Sequence, residues 1–179
     1  MKTYKINKEV LYSNEDITRV NIHDIKKLKK LALKNRTKKI RLCTHKNVKE
    51  QLQEMLIVHP KDYYVWPHKH VNKSESFHII EGEVDIVLFN NYGKVLNFIS
   101  MGAANTGKNF YYRLPQFKYH TLLIRSKVLV FHEITKGPFL KKDTIWASWA
   151  PHEKNRREVK QYLEKLKKEI NIIKNAKKK

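Results

Sequence analysis

The stretch Pro67-His-Lys-His-Val-Asn-Lys-Ser-Glu-Ser-Phe-His-Ile-Ile-Glu-Gly82 decides how this chain folds. Side chains of an extended segment alternate between its two faces, so His68 and His70 project to the same side and their imidazoles can converge. Val71-Asn-Lys-Ser74 is short and polar enough to turn, which lets Glu75 return to the same point. Glu81-Gly82 would close a hairpin after the glutamate's strand. Further on, Pro115-Gln-Phe-Lys-Tyr-His120 offers a third imidazole. Imidazole nitrogens with a carboxylate oxygen suit Fe, Mn, Ni, Co or Zn. The expectation is one divalent metal ion, its identity open, held by His68, His70, Glu75 and His120. Single histidines such as His23, His45, His59, His132 and His152 are read as surface or core residues.

Around this stretch the pattern is one of short strands. After Ile40 they are expected at Gln53–Val58, Tyr63–Pro67, Glu75–Glu81, Glu83–Phe89, Lys94–Met101, Phe110–Leu114, His120–Ile124 and Val128–Ile134. Asn90-Asn-Tyr-Gly93, Gly102–Asn109 and Arg125-Ser-Lys127 are turn material. Such spacing predicts a mainly β chain, a double-sheet jelly roll or small barrel with alternate residues facing inward. Glu75, Phe77 and Ile79 would share one face, and His120, Leu122 and Ile124 would line the pocket below the metal. A strand is expected within residues 4–12. A helix follows over about 23–35, with Asn21 as its cap, Asp24 at the third position, and Ile22, Ile25, Leu28 and Leu31 as its apolar stripe. A last helix, starting near Glu153, carries Val159, Tyr162, Leu163, Leu166, Ile170 and Ile173 at heptad-type spacing. Docking on the outer sheet or on another subunit, as in a homodimer, is the ordinary use of such a stripe. A basic helix lying on anionic lipid is the alternative. The domains expected are therefore 1–39 as an extension, 40–151 as the metal-binding domain, and 152–179 as a basic helix with a disordered lysine tail.

The spacing H-x-H-x4-E-x6-G followed by P-x-x-x-x-H resembles the paired histidine motifs of cupins. A longer series is narrower still: Arg41-Leu-Cys-Thr-His45, Gln53-Glu-Met-Leu-Ile57, Tyr64-Val-Trp-Pro-His-Lys-His70, Ser74-Glu-Ser-Phe-His78, Phe110-Tyr-Tyr-Arg-Leu-Pro115, Phe131-His-Glu133, Gly137-Pro-Phe139 and Trp149-Ala-Pro151. In that order these resemble the WbuC-family cupin-fold metalloproteins, small bacterial proteins encoded among genes for O-antigen and other surface polysaccharides. The resemblance runs from about Ile40 to Pro151 and implies a jelly-roll barrel with the metal ligands named above, but no settled reaction. Three positions depart from the general cupin pattern. Asp62 and Phe117 stand where glycines are usual, and Ile124 where an asparagine is, so altered turns are expected with the ligands kept.

Composition bounds the rest. With 179 residues there is room for one average domain plus extensions. Lys and Arg number 38 against 17 acids, a formal charge of +21, and more than half of the excess lies in residues 1–39 and 152–179. A balance of this size attracts anionic ligands and, weakly, anionic surfaces. Lysine far outnumbers arginine and no arginine-rich or aromatic-interleaved groove stands out, so nucleic acid is not the expected partner. The single cysteine, Cys43, excludes an internal disulfide and fits a reducing compartment. No apolar run approaches the roughly 18 residues of a membrane span. A cytoplasmic protein is expected.

Tyr64, Arg113 and Tyr111 are the candidate catalytic residues. Arg113 precedes Pro115 by two and shares a strand face with Tyr111; turned inward, its guanidinium could hold a carboxylate or phosphate. Turned outward it is an ordinary strand arginine. Tyr63, Arg41, His45 and Glu133 are further polar candidates, and Arg41, Cys43 and His45 share a face if extended. The resemblance points to a sugar or nucleotide-sugar intermediate of surface polysaccharide assembly, with an isomerase- or epimerase-like reaction. An Fe(II)-dependent oxygenase of small molecules and a non-catalytic, metal-containing binding module are the alternatives.

Overall fold

The computed structural model describes residues 1–176. The Lys177–Lys179 tail, expected to be disordered, lies outside the described residues. Among the described residues twelve strands and two long helices follow one another: β1 (Thr3–Lys5), β2 (Val10–Ser13), α1 (Ile22–Lys34), β3 (Ile40–Cys43), β4 (Leu52–Pro60), β5 (His68–His70), β6 (Glu75–Glu81), β7 (Glu83–Phe89), β8 (Val95–Gly102), β9 (Tyr111–Leu114), β10 (Tyr119–Ile124), β11 (Val128–Lys136), β12 (Thr144–Trp146) and α2 (Arg156–Ala176). They build a seven-stranded sheet, β1-β2-β3-β4-β11-β6-β9, and a five-stranded sheet, β12-β5-β10-β7-β8. Every pairing is antiparallel except that of β2 with β3. This is the double-sheet jelly roll that the strand pattern predicts.

The alternation of each strand explains the core. Along β6, Glu75, Phe77 and Ile79 are buried while His78 and Ile80 are exposed. Phe77 and Ile79 meet Ile86, Leu122, Ile124 and Phe131 between the sheets. Glycine is required where β6 turns into β7: Gly82 has φ +91°, and a Cβ there would fall 2.2 Å from the Val128 carbonyl oxygen.

Each sheet is covered on its outside by one helix. The amphipathic stripe of α1 buries Ile25, Leu28 and Ala32 against Leu42, Leu56, Val58 and Val130 of the larger sheet. Its start carries the expected capping box: Asn21 Oδ1 accepts from the backbone of His23 and Asp24, and the Asp24 carboxylate accepts from the Asn21 N–H. The stripe of α2 lies on the smaller sheet, where Leu163, Leu166 and Ile170 pack on Val87, Phe89 and Leu123. At its far end the Lys174 ammonium reaches Asp85 at 2.8 Å, alongside Arg125 at 2.6 Å and the Ser100 hydroxyl at 2.6 Å. So the heptad stripe is spent inside this chain.

Several details differ from the sequence expectation. Tyr63–Pro67 is irregular rather than a strand, although Tyr64 is buried. The amino-terminal segment forms two strands, not one, and these extend the larger sheet. β12 was not expected, and α2 starts at Arg156 rather than near Glu153. The most instructive difference concerns the missing glycines. Asp62 has φ +64° and Phe117 φ +67°, so both turns keep the left-handed conformation that glycine normally provides. In both turns a side chain therefore carries the strain of that conformation.

Candidate metal centre

The four donors come from three elements whose register sets their meeting point. β5 lies between β12 and β10, with His68 opposite both Trp146 and His120, and His70 opposite Thr144. Three imidazoles therefore stand on the inner face of the smaller sheet. Glu75, the first residue of β6, faces them from the larger one. One ligand atom from each of His68, His70, Glu75 and His120 can be chosen so that all lie within 4.8 Å of one another. His120 Nε2 is 2.8 Å from Glu75 Oε1, and His70 Nε2 is 3.2 Å from Glu75 Oε2.

Each ring is turned by a contact on its other nitrogen. His68 Nδ1 meets the Trp66 carbonyl at 2.8 Å, His120 Nδ1 the Lys118 carbonyl at 3.0 Å, and His70 Nδ1 the Thr144 hydroxyl at 3.2 Å. Such outer contacts fix tautomer and orientation in metal-binding histidines, leaving Nε2 free for the centre. His120 Nε2 is buried and makes no hydrogen bond, despite the nearby carboxylate oxygen. A buried, orphaned imidazole nitrogen beside a carboxylate is what a bound cation would satisfy. The residues present thus fit a divalent ion, whose identity the donor set leaves open.

Electrostatics divide the imidazoles: burial would lower His120, but Glu75 outweighs it and raises that ring, whose proton a bound cation would replace. Burial, reinforced by the neighbouring His120, pushes His68 down to about 3, so it is neutral at ordinary pH. Burial alone would raise Glu75, but His120 and His70 outweigh it and hold the carboxyl well below its usual range. The Tyr112 hydroxyl donates to Glu75 Oε1 at 3.1 Å from within the core.

The donors open into a cavity of about 440 Å³. Trp66, Trp146 and Thr144 stand near its metal end, and Arg41, Lys39, Lys73 and Lys141 on its other walls. Glu133 also lines it; burial, then repulsion from Glu75, raises its carboxyl to about 7. His59 is buried there, neutral with its value pushed down to about 3 by burial, and stacks on Tyr63 at 4.1 Å.

The catalytic candidates fare unequally. Tyr64 lines the cavity, but its hydroxyl is committed to the Pro151 carbonyl at 2.9 Å. Arg113 and Tyr111 do share a face of β9, as expected, but it is the outer one. Both are exposed, bonded to the hydroxyls of Ser74 and Ser76 at 3.0 and 3.2 Å. Neither reaches the cavity, so the inward reading of Arg113 is corrected. The inward residues of that strand are Tyr112 and Leu114. Positive charge comes instead from Arg41, Lys73 and Lys141, of which only Arg41 stood among the sequence candidates. Cys43 is buried and its thiol pushed up to about 11 by burial, which makes it an inert apolar group.

A family model described as a domain of unknown function (DUF6016) matches residues 20–101, which hold three of the four donors. No curated protein matches the chain. Similar solved structures include protein SO0799 from Shewanella oneidensis, at 8% identity and TM-score 0.47, covering 57% of this chain and 66% of that one. Oxalate decarboxylase from Bacillus subtilis, a protein with Mn(II) centres, is 18% identical with TM-score 0.44, over 54% of this chain and 24% of its own. Procruciferin, an 11S globulin from Brassica napus, is 14% identical with TM-score 0.40, over 49% and 21%. The chain spans 66% of the first of these proteins and about a quarter or less of the other two. The double-sheet jelly roll itself rests on the strand order of the two sheets. Among the described residues no helix is long and apolar enough to cross a membrane.

Proposed function

We propose that this chain is a cytoplasmic cupin, with residues 40–151 as its metal-binding part, that holds one divalent ion through His68, His70, Glu75 and His120 and brings a small anion to it. The observation that carries the reading is the set of imidazoles, each turned by an outer contact on Nδ1, around a carboxylate that two of them touch through Nε2. A divalent ion bound there would act as a Lewis acid on a carbonyl or hydroxyl oxygen. Arg41, Lys73 and Lys141 supply the charge that would hold an anionic group in the same cavity. Glu133, which lines the same cavity, is the carboxylate placed to take a proton from such a ligand and return it.

On the resemblance to WbuC-family proteins, the anion is a sugar or nucleotide-sugar intermediate of bacterial surface polysaccharide assembly, and the reaction isomerase- or epimerase-like. The test begins with metal analysis of protein purified without an affinity tag, then reloading with Mn(II), Fe(II), Co(II), Ni(II) or Zn(II). One ion per chain is expected, and none in the His68→Ala/His120→Ala double variant. Equal metal content in both proteins would refute the site. Oxygen consumption by the Fe(II) form on small-molecule substrates would favour the oxygenase alternative.

A further inference from the structure

Behind the metal cavity lies a second one of about 600 Å³. Arg41, Lys73, Glu133, Phe139 and Lys141 line both cavities and so stand between them. Among the described residues no carboxylate comes within salt-bridge distance of Arg41 or Lys73. Arg41 Nη1 faces the Met55 sulfur at 3.7 Å, and the Lys73 ammonium lies 5.5 Å from the centre of the Phe139 ring. Lys73 is only 8% exposed. Three cations face the single carboxylate of Glu133 across this partition, and Lys73 is enclosed within it, so the partition carries a net positive charge that favours a negatively charged occupant.

Beyond this partition the walls change character. Val10, Tyr12, Cys43 and Met55 present apolar surface to the second cavity. Two of its polar groups are already committed: His45 Nδ1 meets backbone of Glu54 at 3.0 Å, and the Thr135 hydroxyl donates to the Ser74 carbonyl at 3.1 Å. A sugar ring, with a hydroxyl on nearly every carbon, would lose more hydrogen bonds to water there than it regained.

We infer that the ligand is an amphiphilic anion, its phosphate or carboxylate held by Arg41, Lys73 and Lys141 and its hydrocarbon or aromatic part seated in the second cavity. This rests on the metal-centred reading above, keeps its metal and its anionic ligand, and replaces the sugar part of that ligand with an apolar group.

The experiment is calorimetry on the full chain loaded with Mn(II), titrated with n-alkyl phosphates from methyl to octyl and with glucose phosphate beside them. Affinity is expected to rise about fourfold per methylene over the first several carbons and then level off as the cavity fills. Glucose phosphate should bind no better than methyl phosphate. Val48→Trp at the exposed rim of the second cavity, and Val10→Phe on its wall, should flatten the series while leaving methyl phosphate affinity and metal content unchanged. A flat series in the wild type, tighter binding of glucose phosphate, or a steep series that both variants leave intact would overturn the inference. So would no binding by any member in protein that carries one ion per chain. Failure of the metal-centred reading has a different signature: the steep series persists, but methyl phosphate binding ignores EDTA.

Discussion

Replacing Ile170 with alanine tests whether α2 is an integral layer of the fold. Ile170 is fully buried, with Leu163 and Leu166, against Val87, Phe89 and Leu123 of the five-stranded sheet. The change removes three carbons at about 0.8 kcal/mol each, and the unfilled space adds more, for a loss of about 3–4 kcal/mol. In a chain of 179 residues that lowers the melting temperature by roughly 6–16 °C. Ile172, two positions along, is 69% exposed and serves as the control. There the same substitution removes no packing and gains a few tenths of a kcal/mol of helix propensity, so the two variants should move in opposite directions. Urea denaturation and calorimetry of both proteins provide the measurement. If Ile170→Ala cost no more than about 0.5 kcal/mol, within the range of ordinary surface substitutions, the helix would be an appendage and the reasoning refuted.

Phe117→Gly should stabilise the protein by up to about 1 kcal/mol, because φ +67° strains a side chain that is more than half exposed; Phe117→Val should destabilise it, and a melting curve of each decides. Asp85→Asn should cost about 2–4 kcal/mol, since the buried carboxylate binds Lys174, Arg125 and Ser100. Burial alone would raise Asp85, but those hydrogen bonds outweigh it and hold its folded value below the unfolded one. Its contribution is therefore complete above about pH 4 and is lost as pH falls through the lower folded value, a loss the variant should not show in acid titrations of stability. Tyr112→Phe removes the hydroxyl that donates to Glu75 and should weaken metal binding by about 10–100-fold with little change in fold, measured by competition with a chelator.

The sequence was most informative where one pattern served both burial and chemistry. β6 runs over the residues its alternation predicts, because one of its faces is core and the other is not, whereas β7 reads as a continuous apolar run because α2 covers its second face. The donor set was legible for the same reason, as His68 and His70 must share a side on any extended segment. What escaped were pairings that no local pattern encodes. β12 is three residues after a lysine-rich stretch, and only its partner β5 makes it a strand. Arg113 had a visible signal: Phe110, Tyr112 and Leu114 form the more apolar set on that strand, which turns Arg113 to the outside. Lys73 could not be found this way, since it falls in the Val71–Ser74 turn and owes its burial to the loop around Phe139. Asp62 and Phe117 show the opposite case, a left-handed backbone conformation at residues whose type gives no local signal of it.

The position of β5 also bears on when the protein can acquire its ion. Both neighbours of β5, β10 and β12, lie later in the chain. During synthesis His68, His70 and Glu75 emerge with no sheet to hold them until His120 and then Thr144–Trp146 follow. At about 5–20 residues per second that interval is roughly 4–14 s. A nascent chain in that window offers two histidines and a glutamate on unpaired backbone, a loose chelate open to whichever cation is most abundant nearby. An ion held by all four donors would have to enter a site whose last wall arrives only with residue 146.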